Sequence, residues 1–418
     1  MRADRAAEAR ARQVGRGDAQ RSRGGGPLPE LREHAARVDD EARNGAVANH
    51  RRRGDRRRGD NRRRLLSEGE SGRARKQQRR SECAHPDDYT YGFVTLTPLA
   101  AIEAAAARIR GVARRTPLVD LTIEMGDRLP ERDRPAFFVK CENFQPMGAF
   151  KIRGAFNMLA RLAEDALPAG VITYSSGNHG QAVAMAAARL GVHAVVVMPT
   201  TAPPNKIAGA KALGAEVILE GTTSLARRAR AEKEADARGL VMMPPFDHPW
   251  IIEGQGTCAL EILADLPSTT CIVVPVGGGG LIAGVAAAVK QRRPDVRVIG
   301  VEPAGAAKMT ASLTRGEPVT LDATATIADG LMPVRPGDLT FAHVRKWADQ
   351  IVTVDDRQIA EATLWLHERG RLVVEPSGAA TVAAVRAGIV EAPGGTIVAI
   401  LSGGNVTLER LMELRTQA

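Results

Sequence analysis

The chain has 418 residues and a formal net charge of +10, and its length favours two or three domains. No run of about 18 apolar residues occurs and no charged segment followed by an apolar core opens the chain, so we expect neither a transmembrane helix nor a secretory signal. The four cysteines show no CxxC or other metal-binding spacing, which argues against a disulfide framework or a zinc site and favours a cytoplasmic location.

The surplus of positive charge lies near the N-terminus. Residues 1–90 hold 24 of the 58 Lys and Arg residues but only 15 of the 48 Asp and Glu residues, and the rest of the chain is nearly balanced. Large apolar residues are scarce there, so we predict that residues 1–94 form a disordered Arg-rich extension. Three interpretations stay open: a nucleic-acid- or membrane-binding arm, an organelle targeting sequence, or, the one we favour, an extension without a folded role that follows from a start site assigned too early.

Ordered structure is predicted from about Thr95. Thr97 as N-cap and Pro98 as first helical residue predict a helix that runs to about Arg110. Strands and helices then alternate, which predicts parallel sheets with helices on both faces. The strands of this first block are expected at 135–141, 171–174, 194–198, 216–219 and 240–243, and its helices at 149–163, 179–190, 205–213 and 224–238.

The alternation repeats after a helix at 250–266. The second block is expected to contain strands at 271–276, 296–302, 351–354 and 396–401 and helices at 281–292, 356–369 and 377–387, with a long irregular stretch after residue 302. We therefore predict an α/β protein of two open, mostly parallel domains with a cleft between them. Residues 95–143 and 246–418 would form the large, cofactor-binding domain, and residues 144–245 the small one.

Lys151 is the first candidate catalytic residue. It follows a turn with Pro146 and Gly148 and falls in the first turn of a predicted helix, where the helix dipole disfavours a cation. That field and the apolar neighbours Phe150 and Ile152 would lower the pKa of the amine, and a neutral amine forms a Schiff base with an aldehyde. The alternative is an ordinary surface lysine.

The first of three polar loops spans residues 175–181, between a strand and a helix. Gly177 frees the backbone, the N–H groups of a helix start can bind a carboxylate, and Asn178 can donate to a phenolic oxygen. The alternative is a plain connection capped by serine. A metal site at His179 is disfavoured because no second ligand stands three or four residues away.

Two further loops contain glycine runs. Gly277, Gly278, Gly279 and Gly280 lie between a strand and a helix, where bare backbone can cradle a phosphate. Their spacing fits neither a dinucleotide nor a nucleoside triphosphate motif. Ser402 follows the last strand, at an edge where open α/β sheets bind ligands. A reactive amine, a monophosphate cradle, a carboxylate cradle and a neutral hydroxyl together indicate pyridoxal 5′-phosphate (PLP).

Residues 95 to about 407 resemble the threonine/serine dehydratases and serine racemases of the fold type II (tryptophan synthase β-like) PLP-dependent enzymes. The motif Gly-Ala-Phe-Lys-Ile-Arg-Gly-Ala at 148–155 is typical of the dehydratase branch. The resemblance implies that Lys151 carries the cofactor, Phe150 packs beside its ring, Asn178 contacts the ring hydroxyl and Ser402 bonds the pyridine nitrogen. It also implies phosphate binding by Gly277, Gly278, Gly279, Gly280 and Leu281, and binding of the substrate carboxylate by Ser175, Ser176, Gly177, Asn178 and His179.

The implied activity is that of an ammonia-lyase, which converts L-threonine or L-serine to 2-oxobutanoate or pyruvate plus ammonia. A neutral Ser402 at the ring nitrogen would favour elimination over transamination. Ser176 stands where the racemases carry a second catalytic acid/base, so a serine racemase or a dehydratase of 3-hydroxyaspartate or another β-hydroxy amino acid stays open. A different class, nucleic-acid binding through the N-terminal arm, is the more distant alternative.

The resemblance has three further implications. The family's divalent-metal site uses an acid at the position of Glu302 and a second acid six residues later, where this chain has Lys308, so we expect no divalent metal and a monovalent ion at most. A homo-oligomer, a dimer or a tetramer, is the family habit. Because the chain ends about 16 residues after Ser402, we expect no C-terminal regulatory domain and no feedback by isoleucine.

Overall fold

The computed structural model describes residues 95–126, 135–165, 169–175, 177–202 and 204–416, and the predicted N-terminal extension lies outside them. The strands, in chain order, are β1 Leu118–Asp120, β2 Ala136–Lys140, β3 Val171–Thr173, β4 Ala194–Met198, β5 Glu216–Leu219, β6 Val241–Met242, β7 Cys271–Pro275, β8 Arg297–Pro303, β9 Gln350–Val354 and β10 Thr396–Ile400. The helices are α1 Leu99–Arg108, α2 Lys151–Asp165, α3 Asn178–Leu190, α4 Pro204–Ala212, α5 Ser224–Arg238, α6 Pro249–Asp265, α7 Gly280–Arg292, α8 Lys308–Arg315, α9 Asp338–Trp347, α10 Asp356–Glu368, α11 Pro376–Arg386 and α12 Leu408–Arg415.

These strands form two sheets. One has four parallel strands in the order β5-β4-β3-β6, and the other has six in the order β1-β2-β10-β7-β8-β9, all parallel except the antiparallel pair β1–β2. Every residue of β4, β7 and β10 is buried, as expected for strands covered by helices on both faces. The predicted class, α/β with two open and mostly parallel sheets, is confirmed.

Helix packing between the two blocks depends on glycine. A Cβ on Gly254 of α6 would lie 2.5 Å from the carbonyl oxygen of Arg153 in α2, and one on Gly284 of α7 would lie 2.4 Å from that of Ile252 in α6. Only glycine lets these backbones approach so closely. The start of α2, where Lys151 lies, is therefore held against α6, which in turn packs on α7.

Two predictions about the elements are wrong. Pro98, not Thr97, is the N-cap of α1, and the hydroxyl of Thr97 lies 3.0 Å from Nε2 of His343 instead of capping the helix. The stretch after residue 302 is not irregular throughout, since it contains α8 and α9. Strand β1 and helix α12 were also not predicted, and the other boundaries differ by about one or two residues.

No helix within the described ranges has the length and apolar character needed to span a bilayer.

Candidate active site

Lys151 is the first residue of α2, and its amine is held in a specific place. Its Nζ donates a hydrogen bond to the carbonyl oxygen of Pro245 at 2.7 Å and lies 5.1 Å from the centroid of the Phe150 ring. Burial lowers the pKa of Lys151 to about 8. A larger fraction of this amine than of an ordinary lysine is therefore neutral, and nucleophilic, near neutral pH.

This pKa gives a direct test on the protein alone. Because deprotonation creates the reactive amine, an amine-directed acylating reagent should modify Lys151 with a midpoint near pH 8, read peptide by peptide by mass spectrometry. The exposed Lys346 serves as control for the reagent and for the integrity of the fold over the pH series. A midpoint for Lys151 near the ordinary lysine value of about 10.4 would contradict its assignment as a perturbed amine.

A buried ion cluster fixes the first turn of α2. Arg153 is fully buried, with Nε 2.8 Å from Oε2 of Glu142 and Nη1 2.7 Å from Oε1 of Glu261. Lys140 at the end of β2 also pairs with Glu261, at 2.7 Å. Sequence reasoning missed this cluster, which ties the helix carrying Lys151 to β2 and α6.

The turn before Lys151 pairs with the loop after β10. The N–H of Phe150 donates to the carbonyl of Ser402 at 3.0 Å, and the N–H of Gly404 donates to the carbonyl of Gly148 at 2.8 Å. The hydroxyl-bearing Ser402 is only 4% exposed. Two of the predicted site residues, Phe150 and Ser402, are thus brought together by main-chain hydrogen bonds.

Asn178, the first residue of α3, joins the same group. Its Nδ2 donates to Oε1 of Glu375 at 2.7 Å, and its Oδ1 accepts from Nδ2 of Asn405 at 2.8 Å. Asn405 also donates to the carbonyl of Met147, in the turn that leads to Lys151. The side chain of Asn178 is therefore oriented from both ends, which leaves its second Nδ2 hydrogen for another acceptor.

Glu375 is a site residue that the sequence analysis missed. It precedes Pro376 at the start of α11, and a Cβ on Gly403 would lie only 2.3 Å from its Oε1. Burial and the nearby charge of Asp329 raise the pKa of Glu375 to about 7. A Glu-Pro pair at a helix start is common, so the sequence alone gives no signal for Glu375. Its contact with Asn178 is visible only in the structure.

The other described residues of the first polar loop make different hydrogen bonds. His179 is buried and its Nε2 meets the carbonyl of Met243 at 3.0 Å. Burial and the charge of Lys151 lower the pKa of His179 to about 3, so its ring is neutral near pH 7. The N–H of Gly177 donates to Oγ of Ser175 at 3.3 Å. Ser176 lies outside the described residues.

The glycine loop, Gly277–Gly280, has no room for side chains. A Cβ on Gly278 would lie 2.3 Å from the ring of Phe246, and Gly279 has a φ of +99° that favours glycine. The loop ends at the N-terminus of α7, where N–H groups favour an anion. Leu281 is buried in the core, so it presents only its N–H there.

The three polar loops and Lys151 are linked through short contacts. Phe246, which packs on the glycine loop, follows the Pro245 carbonyl that holds Lys151, and the Ser402 loop contacts both Phe150 and, through Asn405, Asn178. A bare-backbone cradle, a partly neutral amine, a buried hydroxyl and an oriented amide fit a phosphorylated aldehyde. These residues therefore suit PLP.

Glu302 and Lys308, the two positions from which we expected no divalent metal, form an ion pair. Lys308 Nζ lies 3.1 Å from Oε1 of Glu302, and both side chains are fully buried. Across the described ranges, no three or more His, Cys, Asp and Glu side chains are grouped so as to hold a metal ion.

Comparison with known proteins adds four findings. Residues 109–403 match the profile of the family described as pyridoxal-phosphate dependent enzyme. The chain is 41% identical over 310 residues to L-threonine ammonia-lyase of Thermotoga maritima, which covers 74% of this chain and 76% of that protein. It is 38% identical over 316 residues to serine racemase of Schizosaccharomyces pombe, with 76% and 96% covered. The processed form of threonine deaminase isoform 2 from Solanum lycopersicum superposes with a TM-score of 0.71 at 38% identity, over 79% of this chain and 98% of that one.

Proposed function

The chain belongs to the family of pyridoxal-phosphate dependent enzymes, and we propose that it converts L-threonine and L-serine to 2-oxobutanoate and pyruvate with release of ammonia. The substrate class is supported by the 41% identity to a protein named L-threonine ammonia-lyase. The single observation that carries the chemistry is Lys151, a partly neutral amine where the loop with Ser402, the loop with Asn178 and the glycine loop converge.

When bound, PLP supplies an aldehyde for covalent attachment and a ring that accepts the electron pair released at the substrate Cα. Nζ of Lys151 would hold the cofactor, and after the substrate amine replaces it there, Nζ would take the proton from Cα. A base with a pKa of about 8 is suited to this transfer near neutral pH. The carbonyl of Pro245 orients the amine for both tasks.

The other polar groups would bind and orient. Backbone N–H groups of Gly277–Gly280 and Leu281 would hold the phosphate, and Ser402 would meet the pyridine nitrogen. Asn178, oriented by Glu375, would donate its second Nδ2 hydrogen to the ring hydroxyl. The N–H groups at the start of α3, with Ser175 and Ser176, would receive the substrate carboxylate.

The test is an assay on purified protein supplied with PLP. We expect L-threonine to give 2-oxobutanoate and ammonia in equal amounts, and D-threonine to give neither. The control is the same protein stripped of PLP, which should be inactive until the cofactor is restored. A folded protein that takes up PLP and forms no 2-oxo acid from L-threonine or L-serine would overturn the proposed reaction.

Racemisation is the second candidate, because the chain covers 96% of a protein named serine racemase at 38% identity. Ser176, the residue on which the racemase interpretation depends, lies outside the described residues. A chiral assay for D-serine, run on the same samples as the 2-oxo acid assay, separates the two activities. D-serine formed faster than pyruvate would make racemisation the main reaction.

Three broader proposals accompany this function. The large domain would comprise residues 95–143 and 246–418 and the small domain residues 144–245, which is supported by the membership of the two sheets. The protein would be a cytoplasmic homo-oligomer. Light scattering coupled to size-exclusion chromatography measures the oligomer directly, and a mass of about one 44.5 kDa chain would contradict it.

A further inference from the structure

Lys308 is a fully buried lysine whose charge the proposed reaction does not use. Its Nζ donates to the carbonyl oxygens of Val276, Ala306 and Leu331, each at 3.0 Å, and lies 3.1 Å from Oε1 of Glu302. A protonated amine has three N–H donors, one for each carbonyl, whereas a neutral amine would turn a lone pair towards an oxygen. Burial lowers the pKa of Lys308, whereas the charge and hydrogen bond of Glu302 raise it, and the shell of four oxygens favours the ammonium form.

Glu302 makes this buried charge tolerable. Lys308 is the first residue of α8, where the helix dipole opposes a cation. The carboxylate of Glu302 accepts from the N–H groups of Met309 and Thr310, both at 2.9 Å, and from the hydroxyl of Thr310. One carboxylate thus caps the helix and also neutralises the charge of the lysine.

The lysine connects two backbone segments that enclose the glycine loop. Val276 is the residue immediately before Gly277, and Leu331 follows Gly330, whose carbonyl oxygen would lie 2.9 Å from a Cβ on Gly277. Both carbonyls point at the same ammonium group, so their positions are set together.

Helix α8 also contacts the loop directly. The methyl group of Met309, the residue next to Lys308, would lie 3.0 Å from a Cβ on Gly279. A displacement of the N-terminus of α8 would therefore move the glycine loop in two ways, through the contact of Met309 with Gly279 and through the hydrogen bond of Lys308 to Val276.

We propose that Lys308 is a built-in cation that holds the glycine loop in the shape that receives a phosphate group. The proposal rests on the proposed function in taking this loop as the phosphate cradle. Lys308 is then a positioning residue, and the four oxygens around its Nζ form a cation-binding shell. When the lysine side chain is removed, the same shell should bind a small cation from solution.

The experiment compares Lys308→Ala with Lys308→Met. The alanine variant leaves four oxygens around the vacated Nζ position and also empties the space of three methylene groups, while methionine fills most of the space without a charge. Thermal unfolding, without added cofactor, and PLP affinity are measured in tetramethylammonium buffer and then with potassium, ammonium or methylammonium at constant ionic strength. We expect Lys308→Ala to lose roughly 5–10 °C in unfolding midpoint and about tenfold in PLP affinity, and to regain most of both with the small cations.

The controls isolate the cation effect. Wild type should not respond to the change of cation, and Lys308→Met should be weakened without recovery. Lys140→Ala removes another fully buried lysine, but Arg153 still faces its partner Glu261, so small cations should not restore that variant. If Lys308→Ala is not obtained folded, Lys308→Asp replaces it: a second carboxylate beside Glu302 should make Mn²⁺ raise the midpoint, which it should not do for wild type.

Each outcome decides the matter. Unchanged stability and PLP affinity in Lys308→Ala, or losses that no cation reverses in either Lys308→Ala or Lys308→Asp, would overturn the proposal. Failure of the wild type to bind PLP would contradict the proposed function but not the role of Lys308, because the stability measurements use protein without cofactor.

Discussion

Lys151→Ala should lower the turnover of L-threonine by about 10⁴-fold or more and abolish the absorbance band of covalently attached PLP. The change removes both the amine that holds the cofactor and the base that takes the Cα proton, and loss of a catalytic group that combines such roles has effects of at least this size. The fold should survive, because Lys151 is only partly buried, alanine favours a helix, and Arg153 still anchors the first turn of α2.

Initial rates of 2-oxobutanoate formation and the absorbance of dialysed protein measure this effect. The matched control is Lys346→Ala, which removes an exposed lysine from the last turn of α9 and should keep full activity. Circular dichroism and the unfolding midpoint of both variants check the fold. An activity of Lys151→Ala within tenfold of wild type would refute its assignment as the catalytic amine.

The sequence carried enough information to place the strands, most helices and the polar loops. Continuous apolar runs such as β4 and β7 have the composition of buried parallel strands, and glycines at 277–280 are too costly in backbone entropy to lack a purpose. Lys151 stood out because its position in a first helical turn opposes the helix dipole. These signals are local, so the sequence contains them without knowledge of tertiary contacts.

The features that were missed depend on contacts between distant residues. The part that Glu375 plays in the site depends on its hydrogen bond with Asn178, which lies 197 positions away in the sequence. Helix α9 begins where it does because the carboxylate of Asp247 accepts from the N–H groups of Asp338, Leu339 and Thr340, a cap supplied by a remote segment. No periodicity in the sequence encodes such a cap.

The prediction for Thr97 failed for the opposite reason, because a tertiary contact overrode a local sequence preference. A threonine before a proline has the pattern of an N-cap, but the hydroxyl of Thr97 lies 3.0 Å from Nε2 of His343, 246 positions away. The local preference, worth about 1 kcal/mol, gave way to a buried tertiary hydrogen bond.

Arg153→Met should lower the free energy of unfolding by about 3–5 kcal/mol at pH 7, because it leaves Glu142 and Glu261 without their guanidinium partner. Glu142 is fully buried, so water cannot replace the lost interactions. Denaturant unfolding measures the change. The control is Arg357→Met, which removes an exposed i,i+4 pair with Glu361 and should cost no more than about 0.5 kcal/mol.

The same variant has a pH signature that separates lost charge pairing from lost packing. In wild type, burial raises the pKa of Glu142, but the charge and hydrogen bonds of Arg153 outweigh it and hold the pKa below its usual value. A carboxyl of that kind stabilises the fold fully above its unfolded pKa of about 4.3, and the contribution is lost as pH falls through the lower folded value. Without Arg153, burial should instead raise the pKa of Glu142, so the variant gains relative stability as the carboxyl protonates.

The stability difference between wild type and Arg153→Met should therefore shrink as pH falls from 7 towards 4. Adding Glu142→Gln to Arg153→Met removes the titrating group, so the double variant should regain part of the lost stability at pH 7 and show less dependence on pH. A difference that stays constant over this range would mean that packing, not the buried charge pair, holds the start of α2. The position of Lys151 would then depend on the shape of Arg153 rather than on its charge.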